Sequence, residues 1–369
     1  MLSAAAASAL GVGAVIARRL TAPPAPRTFN LSIRDVERDE GAVVVVLDQT
    51  RQTIARGSYT LLFEGGGWAQ LSEDVEQRGP SLVARRATKL SAGLLPAIGD
   101  RVSWSGIYFT TPAEAGLDAA DVQFPTPAGT APAWLIKGDD PETWAIHIHG
   151  LGSPRSGPLR GAQVAAALGY TSLVVTFRND GDGPWAGTGR STLGATEVDD
   201  VAAAVQFAIA NGAQRIVLFG WSMGAAIALQ LAADPRYSPR ISALVLESPV
   251  LDWIETIKAN CARAGIPAAF GLLAVPWLAF GPLARQVGLP RPISLRSLNW
   301  NTRAHELETP TLILHGTRDD SAPIGPSRVL AGLRGDIVEL EEFDAGHTMT
   351  WNSDPARWES LVTSWLRAR

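Results

Sequence analysis

From about residue 120 to the C-terminus, short apolar runs alternate with segments that read as helices. The runs are TWAIHIHG, TSLVVTF, RIVLFGWS, ISALVLES, PTLILHG and DIVELEEF. Between them come PLRGAQVAAALG, ATEVDDVAAAVQFAIANG, MGAAIALQLAA and a shorter piece near PSRVLAGL, and DPARWESLVTSWL closes the chain. Strands separated by helices need crossover connections, so this pattern predicts a mainly parallel sheet covered on both faces. Nearly continuous Val, Ile and Leu marks strands with no solvent face. Ahead of them, DVQFPTPAGTAPAWLIKG reads as a hairpin.

Within this pattern, LFGWSMGAA runs from a strand into a helix through Gly220, Trp221, Ser222, Met223 and Gly224. G-x-S-x-G at a strand-to-helix junction is the form of a nucleophile elbow, in which a strained Ser holds its hydroxyl clear of the sheet. Glycines two residues to either side keep side chains out of the turn. Such a serine needs a base and an acid, arriving downstream in the order Ser, acid, His. Of the five histidines, His305, His315 and His347 follow Ser222. His347, in the Gly-bearing loop FDAGHTMTW between the last strand and the last helix, is the expected base. Asp319, in TRDDSAP after the strand TLILHG, is the expected acid; Asp320, Glu247 and Asp252 are its rivals. Oxyanion donors are expected at the backbone N–H of Met223 and, from the loop HGLGSPRSG, of Leu151. His149 is read as shaping that loop and His147 as structural.

Upstream, about residues 28–112 read as a small β-rich domain: AVVVVLDQT, GSYTLLFEGGGWAQL and DRVSWSGIYF are strand-like pieces between Gly-rich turns. It contains no histidine, and no chemistry is assigned to it. Residues 2–17, LSAAAASALGVGAVIA, carry no charge and are followed by Arg18, Arg19 and the Pro-rich TAPPAPR. Residues 1–27 are therefore expected to be a membrane anchor or signal segment with a linker, the side of the membrane being left open. With a net charge of −4, the chain has no electrostatic footprint for nucleic acid. Cys261 is the only cysteine, which excludes intramolecular disulfides and cysteine-based metal sites.

Taken in order, HGLG, GWSMG, HGTRDD and AGHTM give residues 120–369 a resemblance to the α/β-hydrolase fold superfamily, closest to its prolyl-oligopeptidase-like and monoacylglycerol-lipase-like branches. The resemblance implies Ser222 as nucleophile, Asp319 and His347 as its partners, oxyanion donors at Leu151 and Met223, and no metal or organic cofactor. The β-rich region lies outside that pattern and is too short for a propeller. Between LVLESP and PTLILHG, an apolar stretch broken by Gly and Pro (about residues 250–305) is expected to form a cap. Trp253, Phe270 and Trp277 are its candidates for an acyl or aryl pocket. The expectation is a serine hydrolase that cleaves small carboxylic esters through an acyl-enzyme. A peptidase or acyltransferase would use the same residues, and a silent hydrolase-fold binding protein is the alternative from another class.

Overall fold

The computed structural model describes residues 4–39 and 42–369, in two units. The β-rich unit comprises residues 26–110 and 349–360. Its strands are β1 (Leu31–Asp39), β2 (Ala42–Asp48), β3 (Tyr59–Phe63), β4 (Trp68–Leu71), β5 (Glu76–Arg78), β6 (Leu82–Leu90) and β7 (Arg101–Ser105). All the pairings are antiparallel, in the order β2-β1-β7-β3-β4-β6, and β6 pairs back onto β2. The result is a closed six-stranded barrel, with β5 paired to the start of β6. Closure removes the edges that an open sheet would expose. Inward positions of the alternating strands supply the core, among them Ile33, Leu47, Leu61, Leu71, Val83 and Val102.

Inside this barrel sits a charge that the strand pattern did not flag. Arg85 is fully buried on β6, and its guanidinium donates to the carbonyls of Thr53, Ala55, Gly57 and Ser72 at 2.8–3.2 Å. It also lies over the rings of Tyr59 and Trp104. Burial pushes its pKa down to about 10. Four carbonyls and two ring faces replace water around the cation.

The second unit holds residues 1–25, 111–348 and 361–369. Its strands are β8 (Ala120–Thr126), β9 (Gly129–Ile136), β10 (Asp140–Ile148), β11 (Tyr170–Val175), β12 (Arg215–Trp221), β13 (Ile241–Glu247), β14 (Thr311–Gly316) and β15 (Val338–Phe343). They form one sheet in the order β15-β14-β13-β12-β10-β11-β9-β8, parallel from β15 to β11 and antiparallel through the β8–β9 hairpin. Each expected apolar run is a strand of this sheet. Its helices are α1 (Ala4–Leu20), α2 (Leu159–Ala167), α3 (Glu197–Ala210), α4 (Met223–Ala232), α5 (Trp253–Arg263), α6 (Val275–Ala279), α7 (Gly281–Gln286) and α8 (Gly325–Leu333), while α9 (Thr350–Ser353) falls in the β-rich unit and α10 (Pro355–Arg367) is divided between the two. Buried Ile146, Ile148, Leu218, Leu244, Leu246 and Ile313 on the central strands join Val201, Val205 and Ile227 of the covering helices in one core.

Two boundaries differ from the sequence reading. Residues 349–360 group with the barrel, so the hydrolase part is not one continuous block from 120 to 369. At the other end, the expected membrane segment is helix α1, which groups with the hydrolase unit; Leu2 and Ser3 lie outside the described residues. Among the described residues no helix is long and apolar enough to cross a membrane. Instead α1 packs on α6 and on the turn Ala268–Ala274 between α5 and α6. Ala17 is fully buried there, and a Cβ on Gly13 would overlap the Leu273 carbonyl.

Candidate active site

Parallel registry brings the functional segments to one edge of the sheet. Ile148 of β10 is level with Gly220 of β12, Trp221 with Glu247 of β13, and Glu247 with Leu314 of β14. The loops that leave the carboxyl ends of these strands therefore meet, which is where open parallel sheets place their sites.

Ser222 is the residue between β12 and α4, with φ +54° and ψ −118°. A non-glycine residue here carries strain of about 1–3 kcal/mol, held in place by its surroundings. Its N–H donates to Glu247 O at 2.9 Å, while Ala225 N–H and Val250 N–H donate to its carbonyl. The flanking glycines are sterically required: a Cβ on Gly224 would overlap the carbonyls of Ile148 and His149, and one on Gly220 would sit 2.6 Å from Ala225 Cα. Ser222 is only 8% exposed.

His347 Nε2 accepts from Ser222 Oγ at 2.9 Å, and its Nδ1–H donates to Asp319 Oδ2 at 2.7 Å. Asp319 Oδ1 accepts the N–H groups of Ser321 and Ala322 at 2.9 and 2.8 Å. The structure thus brings together Ser222 and the two residues singled out downstream of the elbow. Its rivals are engaged elsewhere. Glu247 pairs with Arg160 at 2.6 Å, Asp252 caps α5 by accepting from Ile254 N–H and Glu255 N–H, and Asp320 is exposed.

Two neighbours were not foreseen. His315, four residues before Asp319 and fully buried, has Nε2 3.3 Å from Asp319 Oδ2. Its Nε2–H donates to Ala322 O at 2.9 Å, so Nδ1 accepts from Ser327 Oγ at 2.8 Å. Burial raises the Asp319 pKa, but the hydrogen bonds from His315 and His347 outweigh it and hold the carboxyl well below the usual carboxylate range. Arg160 is the other. It is 4% exposed on α2, stacks 4.7 Å from the Trp221 ring, and donates to Thr348 O at 2.9 Å. Thr348 N–H donates to Ser248 Oγ at 3.0 Å. Both backbone groups of the residue after His347 are therefore held, and Thr348 itself lies at φ +55°. A lone charge in the otherwise apolar PLRGAQVAAALG was the sequence signal for Arg160.

Gly150, on the loop leaving β10, approaches so closely that a Cβ would lie 3.0 Å from Ser222 Cβ. Leu151 follows it, and Met223 opens α4, where first-turn N–H groups have no intrahelical acceptor. The loop is braced by buried His149, whose Nδ1 lies 2.9 Å from Gly150 O and Nε2 2.9 Å from Asp180 Oδ2. Its ring stacks on Phe177 at 4.2 Å. Burial and hydrogen bonds compete at Asp180 too, and the bonds from His149, Phe177 N–H and Gly183 N–H hold its pKa below the ordinary value. His147 is fully buried against Phe219, and desolvation lowers its pKa to about 3, leaving a neutral core imidazole.

The three cap aromatics do not line the cavity that opens beside Leu151. Trp253 is 2% exposed and faces the core, Phe270 is 44% exposed, and the Trp277 ring turns toward Gly13 on α1. Ile257 and Ile266 of the cap line that cavity instead, with Ile16 and Leu20 of α1.

Residues 138–360 match the model of the alpha/beta hydrolase family, and residues 32–105 match a model described only as a domain of unknown function. No curated protein matches the chain. Among solved structures, an esterase of Pyrococcus furiosus is 20% identical with a TM-score of 0.55, over 70% of this chain and 96% of that one. A thermophilic esterase from Thermogutta terrifontis is 21% identical, over 68% of this chain and 99% of its own, with a TM-score of 0.47. The esterase RhEst1 from Rhodococcus sp. is 18% identical, over 67% and 98%, also at 0.47. At such identities the likeness to the Pyrococcus protein is one of fold. The family match spans more than half of the chain and coincides with the eight-stranded sheet: the protein belongs to the alpha/beta hydrolase family.

Proposed function

We propose that the protein is a serine carboxylesterase in which Ser222 is the nucleophile, His347 the general base and acid, and Asp319 the residue that orients His347. The observation that carries this reading is the continuous chain of hydrogen bonds from Ser222 Oγ through His347 to Asp319, at 2.9 and 2.7 Å, on a strained elbow. In this reading Ser222 Oγ attacks the ester carbonyl as its proton passes to His347 Nε2. His347 then returns that proton to the leaving alkoxide. Water repeats the sequence on the acyl-enzyme and releases the acid. Asp319, ionised across the working pH range by its hydrogen bonds, fixes the imidazole with Nδ1 protonated and stabilises the imidazolium that forms. The N–H groups of Met223 and Leu151 are the donors assigned to the developing oxyanion. The esterases of matching fold support ester substrates over peptides, as does the apolar lining beside Leu151.

The test is a fluorophosphonate probe with p-nitrophenyl esters as substrates. One label per chain, located on Ser222, is expected, together with a stoichiometric burst where deacylation is slow. Ser222→Ala should lose both labelling and turnover, by about 10⁶-fold in kcat. Labelling that persists in Ser222→Ala would overturn the assignment.

A further inference from the structure

Helix α1 is built into the hydrolase unit at both apolar and polar positions. Besides Ala17 and Gly13, its last turn is tied by hydrogen bonds: Arg190 donates to Arg18 O at 2.7 Å, Ser191 N–H to Thr21 O at 3.1 Å, and Arg18 to Gln286 O at 2.9 Å. Between α1 and α5 lies a cavity of about 310 Å³. Ile16 and Leu20 of α1 line it with Ile257 and Ile266 of the cap and Leu151. Two of its lining residues, Leu151 and Asn260, connect it to the Ser222 site. Leu151 follows Gly150, which closely approaches Ser222 Cβ. Asn260, also in the lining, donates to Ser321 O at 2.9 Å, and Ser321 N–H donates in turn to Asp319.

We infer that this cavity receives the acyl chain of the substrate and that α1 is its specificity-determining wall. The inference rests on Ser222 being the nucleophile. The alcohol must leave beside His347 Nε2, and no residue of the His347 loop lines the cavity, whereas Leu151 of the oxyanion loop does. That geometry assigns the space to the acyl side of the ester. At about 30 Å³ per water-sized group, it holds roughly ten such groups, room for an apolar chain of up to about ten carbons. Each methylene buried is then worth about fourfold in kcat/KM up to that length. The lining contains Arg19 and Arg263 and no carboxylate, so a chain ending in an ammonium group is disfavoured.

The experiment measures kcat/KM of the chain of residues 1–369 on p-nitrophenyl esters from acetyl to dodecanoyl, with 6-aminohexanoyl as the cationic member. The readout is the ratio of octanoyl to acetyl within each variant, which does not depend on the amount of folded protein. Ile16→Trp should lower that ratio by at least tenfold, Leu20→Trp should act in the same direction, and Ile16→Ala should move the optimum to longer chains. Val15→Ser, on the exposed side of α1, should leave the profile unchanged. The hexanoyl ester should exceed the 6-aminohexanoyl ester by at least tenfold. If the wild type labels at Ser222 and turns over esters but the Ile16 and Leu20 variants keep its profile, α1 is no wall of the pocket and this inference alone falls. If the wild type neither labels nor turns over esters, the nucleophile reading falls and takes this inference with it.

Discussion

Replacing Arg160 by Met tests whether the His347 loop is held from beneath. The long side chain keeps most of the volume and removes the charge. Three contacts disappear: the 2.6 Å ion pair with Glu247, the 2.9 Å hydrogen bond to Thr348 O and the stacking on the Trp221 ring. Glu247 is almost fully buried beside it, at 6% side-chain exposure, so the change leaves a carboxylate in a dry environment without its guanidinium. Breaking one side of a buried pair costs about 3–5 kcal/mol. For a unit of this size, that corresponds to a fall of about 6–20 °C in melting temperature. The second effect is on chemistry. Thr348 sits at φ +55°, a conformation that a β-branched residue keeps only when it is held. With its carbonyl released, only the Ser248 bond to its N–H remains of the two restraints, and His347 Nε2 drifts from Ser222 Oγ. A displacement near 1 Å costs on the order of 10²-fold in turnover. The assay is kcat and KM for a short p-nitrophenyl ester, at a temperature where circular dichroism shows the variant folded, alongside thermal melts. The fall should be in kcat, with KM nearly unchanged. Glu247→Gln, which keeps the Arg160 contact to Thr348, should lose stability but retain most of kcat. A melting temperature within 2 °C of wild type, or an unchanged kcat in folded Arg160→Met, would refute the account.

Three further outcomes follow from the geometry. Asp319→Asn should lower kcat by on the order of 10⁴-fold while the protein stays folded, because the amide cannot fix His347 as the carboxylate does. The folded pKa of Asp319 lies below its unfolded value near 3.9, so its contribution to stability is fully present above about pH 4 and is lost as pH falls through the depressed value. The stability gap between wild type and Asp319→Asn, read from urea melts, should therefore be constant from pH 8 to 5 and narrow below pH 4; a gap that widens on acidification would contradict the assignment. Gly224→Ala, which drives a Cβ into the carbonyls of Ile148 and His149, should abolish fluorophosphonate labelling, and normal labelling would show that the elbow tolerates a side chain. Arg85→Met should destabilise the barrel by several kcal/mol, since four carbonyls, two of them buried, lose this donor, and an unchanged chemical-denaturation midpoint of that unit would argue against it.

Several parts of the protein were legible because their causes are local. Strand-length runs of Val, Ile and Leu alternating with helices can be satisfied only by a covered parallel sheet. Ser222 between two glycines at a strand end is an elbow because no other residues fit where the Ile148 carbonyl and the Ala225 backbone come so close. Chain order along such a sheet then put Asp319 after β14 and His347 after β15, and the sequence alone picked those two among several carboxylates and histidines. What it left open depended on residues far apart. The carboxylates Glu247, Asp252 and Asp319 look alike in the sequence; Arg160, the first turn of α5 and two histidines decide what each does. The uncharged N-terminal stretch does not reveal what it packs on, and only the tertiary structure sets its Gly13 and Ala17 against the cap. For the same reason the sequence does not show that Ile16 and Leu20 of α1, from the other end of the chain, line the cavity beside Leu151. Hydrophobic burial has no direction and no sequence separation. A sequence therefore tells which residues must be buried, but the tertiary structure decides which partner covers them.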